Sequence, residues 1–272
     1  MSSRPDVSII VVTFRDRENV LACLASIALH ADVTHEVIVV DDGSHDGTVE
    51  SIRSRFEHVR LVARGRHGGL VAGRNDAVPL ARGRLVLMLD SDTELRPHAL
   101  SRLAAALERG PRVGIVGPRL LGPDGDVQLS CRRFPPFLIP LMRRGPYARL
   151  QPNPRAHRWH MMMDFDHSSR RPVAWVMGAA QMWRRELADL LGPFDRRISS
   201  YGGEDIDWCL RAWAAGLEVH YVPEAAIVHR WHKLTRENPY GRESSAALRD
   251  WYRLQWKHRA LRRSPRMVEA NR

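Results

Sequence analysis

Two carboxylates follow an apolar run near the middle of the chain. Leu85 to Leu89 has the length and composition of a strand buried on both faces, and Asp90 and Asp92 come directly after it. Ionised carboxylates at the end of a core strand are costly to desolvate unless a positive group meets them. Two of them, one residue apart, can bind one hard divalent cation through oxygen. The alternative is that they only cap the helix predicted to begin near Pro97.

A second group of acids lies at the start of a predicted helix in the last third of the chain. Glu204, Asp205 and Asp207 stand in the first turn of a helix that is predicted to run to Ala215. Acids in a first turn also interact favourably with the helix dipole. Their position alone therefore leaves both a structural and a chemical role open.

The elements that must position these acids are short apolar strands that alternate with amphipathic helices. Val7 to Thr13, Glu36 to Val40 and Val59 to Ala63 are predicted strands, with helices between them. This alternation predicts an α/β fold with a mostly parallel, Rossmann-like sheet and helices on both faces. In such sheets ligands bind at the carboxyl ends of the strands. The polar residues at the predicted strand ends, which we expect along one rim, are Thr13, Asp41, Asp42, Asp90 and Asp92.

A glycine-rich segment, Gly65 to Asn75, leads into a helix predicted near Ala72. Backbone N–H groups at such a helix start can bind phosphate, and Arg74 adds a positive charge. The segment lacks a Walker lysine, and it does not follow the first strand as a dinucleotide-binding fingerprint does. Taken alone, it is a weak signal for phosphate binding.

The chain changes character after a predicted hairpin through Leu121 to Gly125, where Gly, Pro and Asp supply turn chemistry. Residues 131–172 are rich in proline and arginine and show few clear periods. We predict that they form a long functional loop or lid over the site, because loops of this length are seldom idle. Order returns with Val173 to Arg184, and a further strand is predicted at Glu218 to Val222.

Composition places the chain among soluble globular proteins. Its 272 residues suffice for one large α/β domain, and its 44% hydrophobic and 27% charged residues are ordinary for that class. No stretch approaches the roughly 18 to 20 apolar residues that cross a bilayer, and the N-terminus has no signal-peptide cleavage site, so we expect a cytoplasmic protein. Cys23, Cys131 and Cys209 are far apart, which argues against a zinc site or a disulfide framework.

A net charge of +11 is the one compositional outlier. It is compatible with nucleic acid, an anionic membrane surface or a polyphosphate ligand as partner. Much of the charge lies in Arg132 to Arg144 and in Trp251 to Arg266, mixed with aromatic and aliphatic residues. That mixture suits a membrane interface better than a DNA groove, although a solvated helix face would also account for it.

Taken together, the motifs resemble the inverting, GT-A type glycosyltransferases of family 2 and, within that family, the rhamnosyltransferase-like members. They occur in the family's order and at its usual spacings over most of residues 7–230. The carrying motifs are SIIVVTF (8–14), VVDDGSHDGT (39–48), GGLVAGRN (68–75), LDSDTEL (89–95), GAAQMWRRE (178–186), GPFD (192–195), YGGEDIDWCLR (201–211) and VPEAAIVH (222–229).

The resemblance implies roles for the residues on the donor side of the site. Asp41, with Asp42 beside it and the Thr13 segment nearby, is expected to contact the base of a nucleotide sugar. Arg74 and Asn75 match residues near the diphosphate. One departure is His67, where the family often has Asn, which leaves the base and sugar preference open.

The same resemblance implies the metal site and the acceptor side. Asp90, Ser91 and Asp92 match the D-x-D segment that reaches ribose, diphosphate and a divalent Mn or Mg ion, and His229 can complete the metal shell. Asp205 matches the general base of an inverting transfer. Glu204 is expected to be an acceptor-binding carboxylate or the alternative base.

We therefore expect a metal-dependent transferase that acts in cell-envelope glycan synthesis. It would move a single sugar, with rhamnose as one candidate, from a nucleoside-diphosphate sugar to a hydroxyl of a lipid-linked or polysaccharide acceptor.

Residues 1–235 are predicted to form one GT-A catalytic domain, with a nucleotide-sugar half at about 1–117 and an acceptor half at about 118–235. Residues 236–272 are predicted to form a basic helical extension. Peripheral contact with the inner face of the plasma membrane is expected. The Q-x-x-R-W motif of processive members is absent, because no Gln stands three places before Arg230.

Three other interpretations follow from parts of the sequence. A basic nucleic-acid-binding protein would account for the charge but not for acids at successive strand ends, so we expect no nucleic acid partner. A nucleotidyltransferase would require a glycine-rich, lysine-bearing loop after the first strand, where this chain has RDREN. A homologue that binds a nucleotide sugar without catalysis remains a third alternative.

Overall fold

A mixed β-sheet brings the polar ends of several strands to one edge of the molecule. A computed structural model describes residues 4–137, 154–198, 203–230 and 242–271. The strands are β1 (Val7–Thr13), β2 (His35–Asp41), β3 (Arg60–Ala63), β4 (Leu85–Asp90), β5 (Thr93–Leu95), β6 (Val113–Leu121), β7 (Val127–Gln128), β8 (Cys131–Arg132), β9 (Arg171–Pro172), β10 (Trp175–Val176), β11 (Ala180–Arg184) and β12 (Glu218–His229). The α-helices are α1 (Arg17–His30), α2 (Thr48–Arg55), α3 (Leu70–Ala77), α4 (Ala99–Glu108), α5 (Arg155–His160), α6 (Glu186–Leu191), α7 (Glu204–Ala214), α8 (Arg242–Lys257) and α9 (Pro265–Ala270).

The order of the main sheet is β3-β2-β1-β4-β11-β6-β12-β5, with β7 added to β6 and β9 to β12. The first four strands are parallel, and their register places Thr13 opposite Asp41 and Val12 opposite Asp90. At the other end, β5 runs antiparallel to β12 and pairs Thr93 with His229. The polar ends of β1, β2 and β4 therefore lie side by side, as predicted.

The core has one apolar cluster on each face of the sheet. Alternate residues of β1 divide between them, because successive side chains of a strand point to opposite faces. Ile9 joins Leu24 and Leu103 from α1 and α4 on one face, while Ile10 joins Val71 and Trp208 from α3 and α7 on the other. This arrangement confirms the predicted α/β class with helices on both faces.

The hairpin predicted through Leu121 to Gly125 is present, and it pairs Leu121 with Val127. The described part of residues 131–172 is more regular than a long loop: it contains β8, α5 and β9. Met162 is fully buried there and joins the core cluster that contains Trp208. Local periodicity could not predict these elements, because each spans only two to six residues and depends on tertiary contacts. Residues 138–153 lie outside the described ranges, and a role of this insertion as a lid stays a prediction.

The C-terminal extension is helical in its described part, and it packs onto the rest of the chain. Asn271 accepts a hydrogen bond from Arg133 through its backbone oxygen (2.8 Å) and one from the backbone of Phe134 through its side chain (2.7 Å). Lys257 and His258 both contact the Asp207 carboxylate of α7 at 2.8 Å. Within the described ranges, no helix combines the length and apolarity that crossing a bilayer would require.

Candidate active site

Asp90 is the last residue of β4, and Asp92 lies in the short turn that leads to β5. The turn is held by a hydrogen bond from the Thr93 hydroxyl to the Asp90 carbonyl oxygen (2.7 Å) and by one from the Arg230 N–H to the Asp92 carbonyl oxygen (2.9 Å). Helix α4 begins only at Ala99, and the carboxylate that accepts from an N–H group of its first turn is Asp32, whose Oδ1 lies 3.1 Å from the Ser101 nitrogen. The alternative that Asp90 and Asp92 cap this helix is therefore wrong.

Asp90, Asp92 and His229 form one cluster. Each offers a ligand atom, and these atoms lie within 4.8 Å of one another. His229 Nε2 is 3.6 Å from Asp92 Oδ1, and the imidazole is buried with 4% exposure. Antiparallel pairing of β12 with β5 brings His229 here from a distant part of the sequence. Two carboxylates and one imidazole are a donor set that suits Mn²⁺ or Mg²⁺.

Arg74, on α3, connects this cluster to the second group of acids. Its guanidinium donates to Asp90 Oδ1 (2.9 Å), to Glu204 Oε1 (3.0 Å) and to the Gly178 carbonyl oxygen (3.1 Å). The side chain is only 3% exposed. Burial, the largest single influence, lowers the Arg74 pKa, but the combined attraction of Glu204, Asp90 and Asp205 raises it above its ordinary value.

The two acids at the start of α7 differ in their surroundings. Glu204 pairs with Arg74, whereas Asp205 accepts hydrogen bonds from the backbone N–H groups of Gly178 and Ile206, both at 2.7 Å. Asp205 is 4% exposed, and burial, followed by the neighbouring charge of Glu204, raises its pKa to about 7. A carboxyl group with such a pKa can take up or release a proton near neutral pH.

Gly178, the first residue of the GAAQMWRRE motif, is a contact point whose role the motif alone did not indicate. Its N–H donates to Asp205, and its carbonyl oxygen accepts from Arg74. A Cβ at this position would lie 2.9 Å from the Asp205 Cβ, so only glycine lets the backbone approach this closely. The available signal was a glycine inside the ordered segment Val173 to Arg184, since a glycine within an apolar run often marks close backbone approach.

Two buried oxygen atoms at the ends of β1 and β2 have no hydrogen-bond partner within the described residues. They are Thr13 Oγ1 and Asp41 Oδ2, which belong to residues paired in the sheet register. The other Asp41 oxygen accepts from the N–H groups of Gly43 (3.2 Å) and Ser44 (2.9 Å). Buried polar atoms are normally satisfied, so this pair suits contact with a polar ligand.

Asp42 uses its oxygens within the protein. Its carboxylate binds Arg64 (2.5 Å), His67 Nδ1 (2.7 Å) and the N–H groups of Gly68 (3.0 Å) and Gly69 (2.7 Å). These glycine N–H groups precede α3, where the sequence suggested a phosphate-binding turn. The structure therefore places a protein carboxylate where that weak signal would place a phosphate.

Asn75 and Ser91, the remaining predicted donor-side residues, also have protein partners. The Asn75 amide donates to the Phe194 carbonyl oxygen (3.0 Å) and accepts from the Phe194 N–H (2.8 Å), which ties α3 to the 192–195 turn. The Ser91 hydroxyl donates to Asp16 Oδ2 (2.8 Å). In the described arrangement Asn75 holds protein segments together, while Ser91 stays at the rim beside Asp90 and Asp92.

Family models cover most of the sequence. The model described as glycosyl transferase family 2 matches residues 8–170, and that of glycosyl transferase family group 2 matches residues 138–261. The chain is 29% identical over 245 residues to N-acetylglucosaminyl-diphospho-decaprenol L-rhamnosyltransferase of Mycobacterium tuberculosis. That match covers 85% of this chain and 78% of the relative.

Solved structures share the fold at low sequence identity. GalNAc-T7 with UDP, GalNAc and Mn²⁺ has a TM-score of 0.67 at 16% identity, over 94% of this chain and 48% of that one. The mannosyltransferase PcManGT from Pyrobaculum calidifontis, in complex with GDP-Man and Mn²⁺, has a TM-score of 0.58 at 18% identity, over 98% of this chain and 78% of that one. This chain thus spans about half of GalNAc-T7, and the likeness shows the GT-A fold that the sequence predicted.

We expect the Asp205 carboxyl to titrate near neutral pH and to depend on its neighbour Glu204. In Glu204→Gln the Asp205 pKa should fall below 7 because the Glu204 charge is removed. It should stay above its ordinary value, because burial is the larger of the two causes that raise it. Carboxyl-carbon NMR titration of the two proteins measures this shift. Glu50→Gln, an equal charge change at an exposed site on α2, is the control. An Asp205 midpoint that is the same with and without the Glu204 charge would contradict the electrostatic assignment.

Proposed function

The chain belongs to glycosyltransferase family 2, and from that premise we propose that it transfers a single sugar, with inversion, from a nucleoside-diphosphate sugar to an acceptor hydroxyl. The observation that carries the proposal is the Arg74 bridge. It joins Asp90, at the polar rim of the sheet, to Glu204, the neighbour of Asp205. The candidate metal ligands and the candidate base thereby belong to one connected charge cluster, in which Glu204 and Asp205 are buried and Asp90 is partly exposed.

On the donor side, the unpartnered oxygens of Thr13 and Asp41 would receive the polar edge of the nucleobase. Asp90, Asp92 and His229 would hold Mn²⁺ or Mg²⁺, which suits their geometry and is consistent with the Mn²⁺ in the similar GalNAc-T7 structure. When bound, such an ion neutralises charge that develops on the departing diphosphate. We assign Asp42 and Asn75 to holding the adjoining loops, because their polar groups bind protein atoms.

On the acceptor side, Asp205 would act as general base. The acceptor oxygen forms a bond to the anomeric carbon as its proton passes to Asp205, and the bond between that carbon and the diphosphate oxygen breaks. The nucleoside diphosphate leaves with the bonding pair. Since each Asp205 oxygen keeps a lone pair beyond its one backbone hydrogen bond, the carboxylate can still accept this proton. Glu204 is the weaker candidate, because Arg74 neutralises its charge.

For the acceptor, we infer a lipid-linked glycan. The support is the similar mycobacterial protein, whose name specifies a diphospho-decaprenol acceptor and L-rhamnose as the transferred sugar. Rhamnose is accordingly the first donor sugar to try, in a thermal-shift screen of dTDP-, UDP- and GDP-sugars with and without Mn²⁺. Such an acceptor is presented at a membrane surface, so the enzyme would work as a peripheral protein on the inner face of the plasma membrane.

An aromatic–arginine patch, formed by Phe137, Tyr252, Trp256 and Arg259, supports this location. Trp256 is 72% exposed and Phe137 47%. The rings of Phe137 and Tyr252 lie 5.0 Å apart, and the Arg259 guanidinium lies 4.5 Å from the centre of the Trp256 ring. Exposed aromatic rings beside a cation suit the headgroup region of an anionic membrane.

Asp205→Asn tests the assignment of the base. Sugar transfer should fall about 10²–10⁴-fold, because the amide cannot take the acceptor proton. Calorimetric titration of the nucleoside diphosphate with Mn²⁺ should give wild-type affinity, since Asp205 contacts neither Thr13, Asp41 nor the metal cluster in the proposed site. Asp189→Asn makes the same charge change at an exposed position of α6 and should leave both measurements unchanged. A parallel loss of transfer and nucleotide affinity would refute the assignment.

Vesicle co-sedimentation tests the aromatic–arginine patch. The wild type should bind vesicles that contain phosphatidylglycerol more than vesicles of phosphatidylcholine alone, and Trp256→Ser/Arg259→Ser should reduce that binding. Leu29→Ser, which removes an apolar side chain that is 75% exposed on α1, should not. Binding that ignores anionic lipid would remove the membrane proposal, and tighter, salt-sensitive binding to duplex DNA would favour the nucleic-acid alternative.

A further inference from the structure

The hairpin of β6 and β7 brings one side chain against His229. Gln128, on β7, is half-buried and contacts His229 through both ends of its amide. His229 Nδ1 is 2.9 Å from Gln128 Oε1, and Gln128 Nε2 donates to the His229 carbonyl oxygen at 2.8 Å. One residue therefore binds both the imidazole and the backbone of the same histidine.

These two contacts determine the proton position on the imidazole. The His229 carbonyl oxygen can only accept, so the amide end that faces it must be the NH₂ group. The amide oxygen then faces Nδ1, and because that oxygen can only accept, Nδ1 must carry the proton. A neutral imidazole protonated at Nδ1 has its lone pair on Nε2. Nε2 is the atom that lies 3.6 Å from Asp92 Oδ1.

We propose that Gln128 is a positioning residue that keeps His229 in the Nδ1–H tautomer and its Nε2 lone pair directed toward Asp90 and Asp92. This inference rests on the metal site of the proposed function and adds a residue to it. Ligating histidines commonly donate their second N–H to an oxygen acceptor, which fixes the ring and raises its basicity as a ligand. Gln128 is the side chain that supplies this acceptor here.

The hairpin gives Gln128 a fixed place. Leu120 on β6 pairs with Gln128, and the turn between the two strands closes through hydrogen bonds from Gly122 N–H to the Asp126 carbonyl oxygen (2.8 Å) and from Gly125 N–H to the Gly122 carbonyl oxygen (2.9 Å). Gly125 has a φ of 87°, a conformation that favours glycine. On its other side β6 pairs with β12, which ends at His229. The turn chemistry noted in the sequence thus serves the candidate metal site.

Gln128→Met provides the test, because methionine fills a similar volume without either hydrogen bond. Nitrogen-15 NMR of the imidazoles, with the His229 signals assigned by their loss in His229→Ala, reports the tautomer directly. We expect the metal-free wild type to show a protonated Nδ1 and Gln128→Met to lose that preference. Gln128→Glu keeps an oxygen acceptor and should retain the tautomer at a pH where the imidazole is neutral.

Mn²⁺ affinity, measured from the electron paramagnetic resonance signal of the free ion, is the second readout. Gln128→Met should weaken Mn²⁺ binding about 10- to 100-fold, and Val127→Ala on the same strand should leave it unchanged. If Gln128→Met keeps both the wild-type tautomer and the wild-type Mn²⁺ affinity while His229→Ala loses Mn²⁺ binding, the role of Gln128 is overturned but the proposed metal site is not. Unaltered Mn²⁺ binding in His229→Ala would overturn the inference together with the proposed metal site. If Gln128→Met does not fold, the same comparison is made with Gln128→Glu, where loss of the Nδ1–H tautomer would overturn the inference.

Discussion

The ion pairs of Arg74 are the interaction on which the rest of the site depends. Asp90 and Glu204 come from elements far apart in the sequence, and both form an ion pair with the buried guanidinium of Arg74. Burying any of these charges alone would cost several kcal/mol, so the arrangement is stable only while the opposite charges stay together. Burial raises the pKa of both Asp90 and Glu204, and the positive charge of Arg74 opposes that effect on each of them. Arg74 thus favours the ionised forms of both carboxyl groups.

This bridge gives the neighbouring groups different properties. Arg74 pairs with Glu204, whereas the hydrogen bonds that Asp205 accepts within the described residues come from the backbone N–H groups of Gly178 and Ile206. The raised pKa of Asp205 suits it to proton transfer near neutral pH. On the other side, Asp90 stays partly exposed, at 30%, and joins Asp92 and His229. One guanidinium therefore separates a group fitted to proton chemistry from a group fitted to a cation.

The sequence predicted the sheet and its rim because both depend on local patterns. The apolar strands that end in Thr13, Asp41 or Asp90 can be located from the sequence alone, without knowledge of the strands with which they pair. The internal roles of Asp42 and Asn75 could not be predicted in this way, since they depend on contacts with Gly69 and Phe194 that only the folded chain creates. Gln128 escaped notice for the same reason: a lone glutamine on a short strand carries no signal until the strand lies against His229.

A double-mutant cycle on Arg74 and Glu204 tests the central claim most directly. The free energy of unfolding would be measured by urea denaturation for Arg74→Met, Glu204→Met and the double variant. We predict that Arg74→Met alone costs about 3–5 kcal/mol, because it leaves Glu204 buried and unpaired, and that adding Glu204→Met restores part of this loss. Strictly additive losses from the two substitutions would contradict the account, because they would mean that the two charges do not stabilise each other.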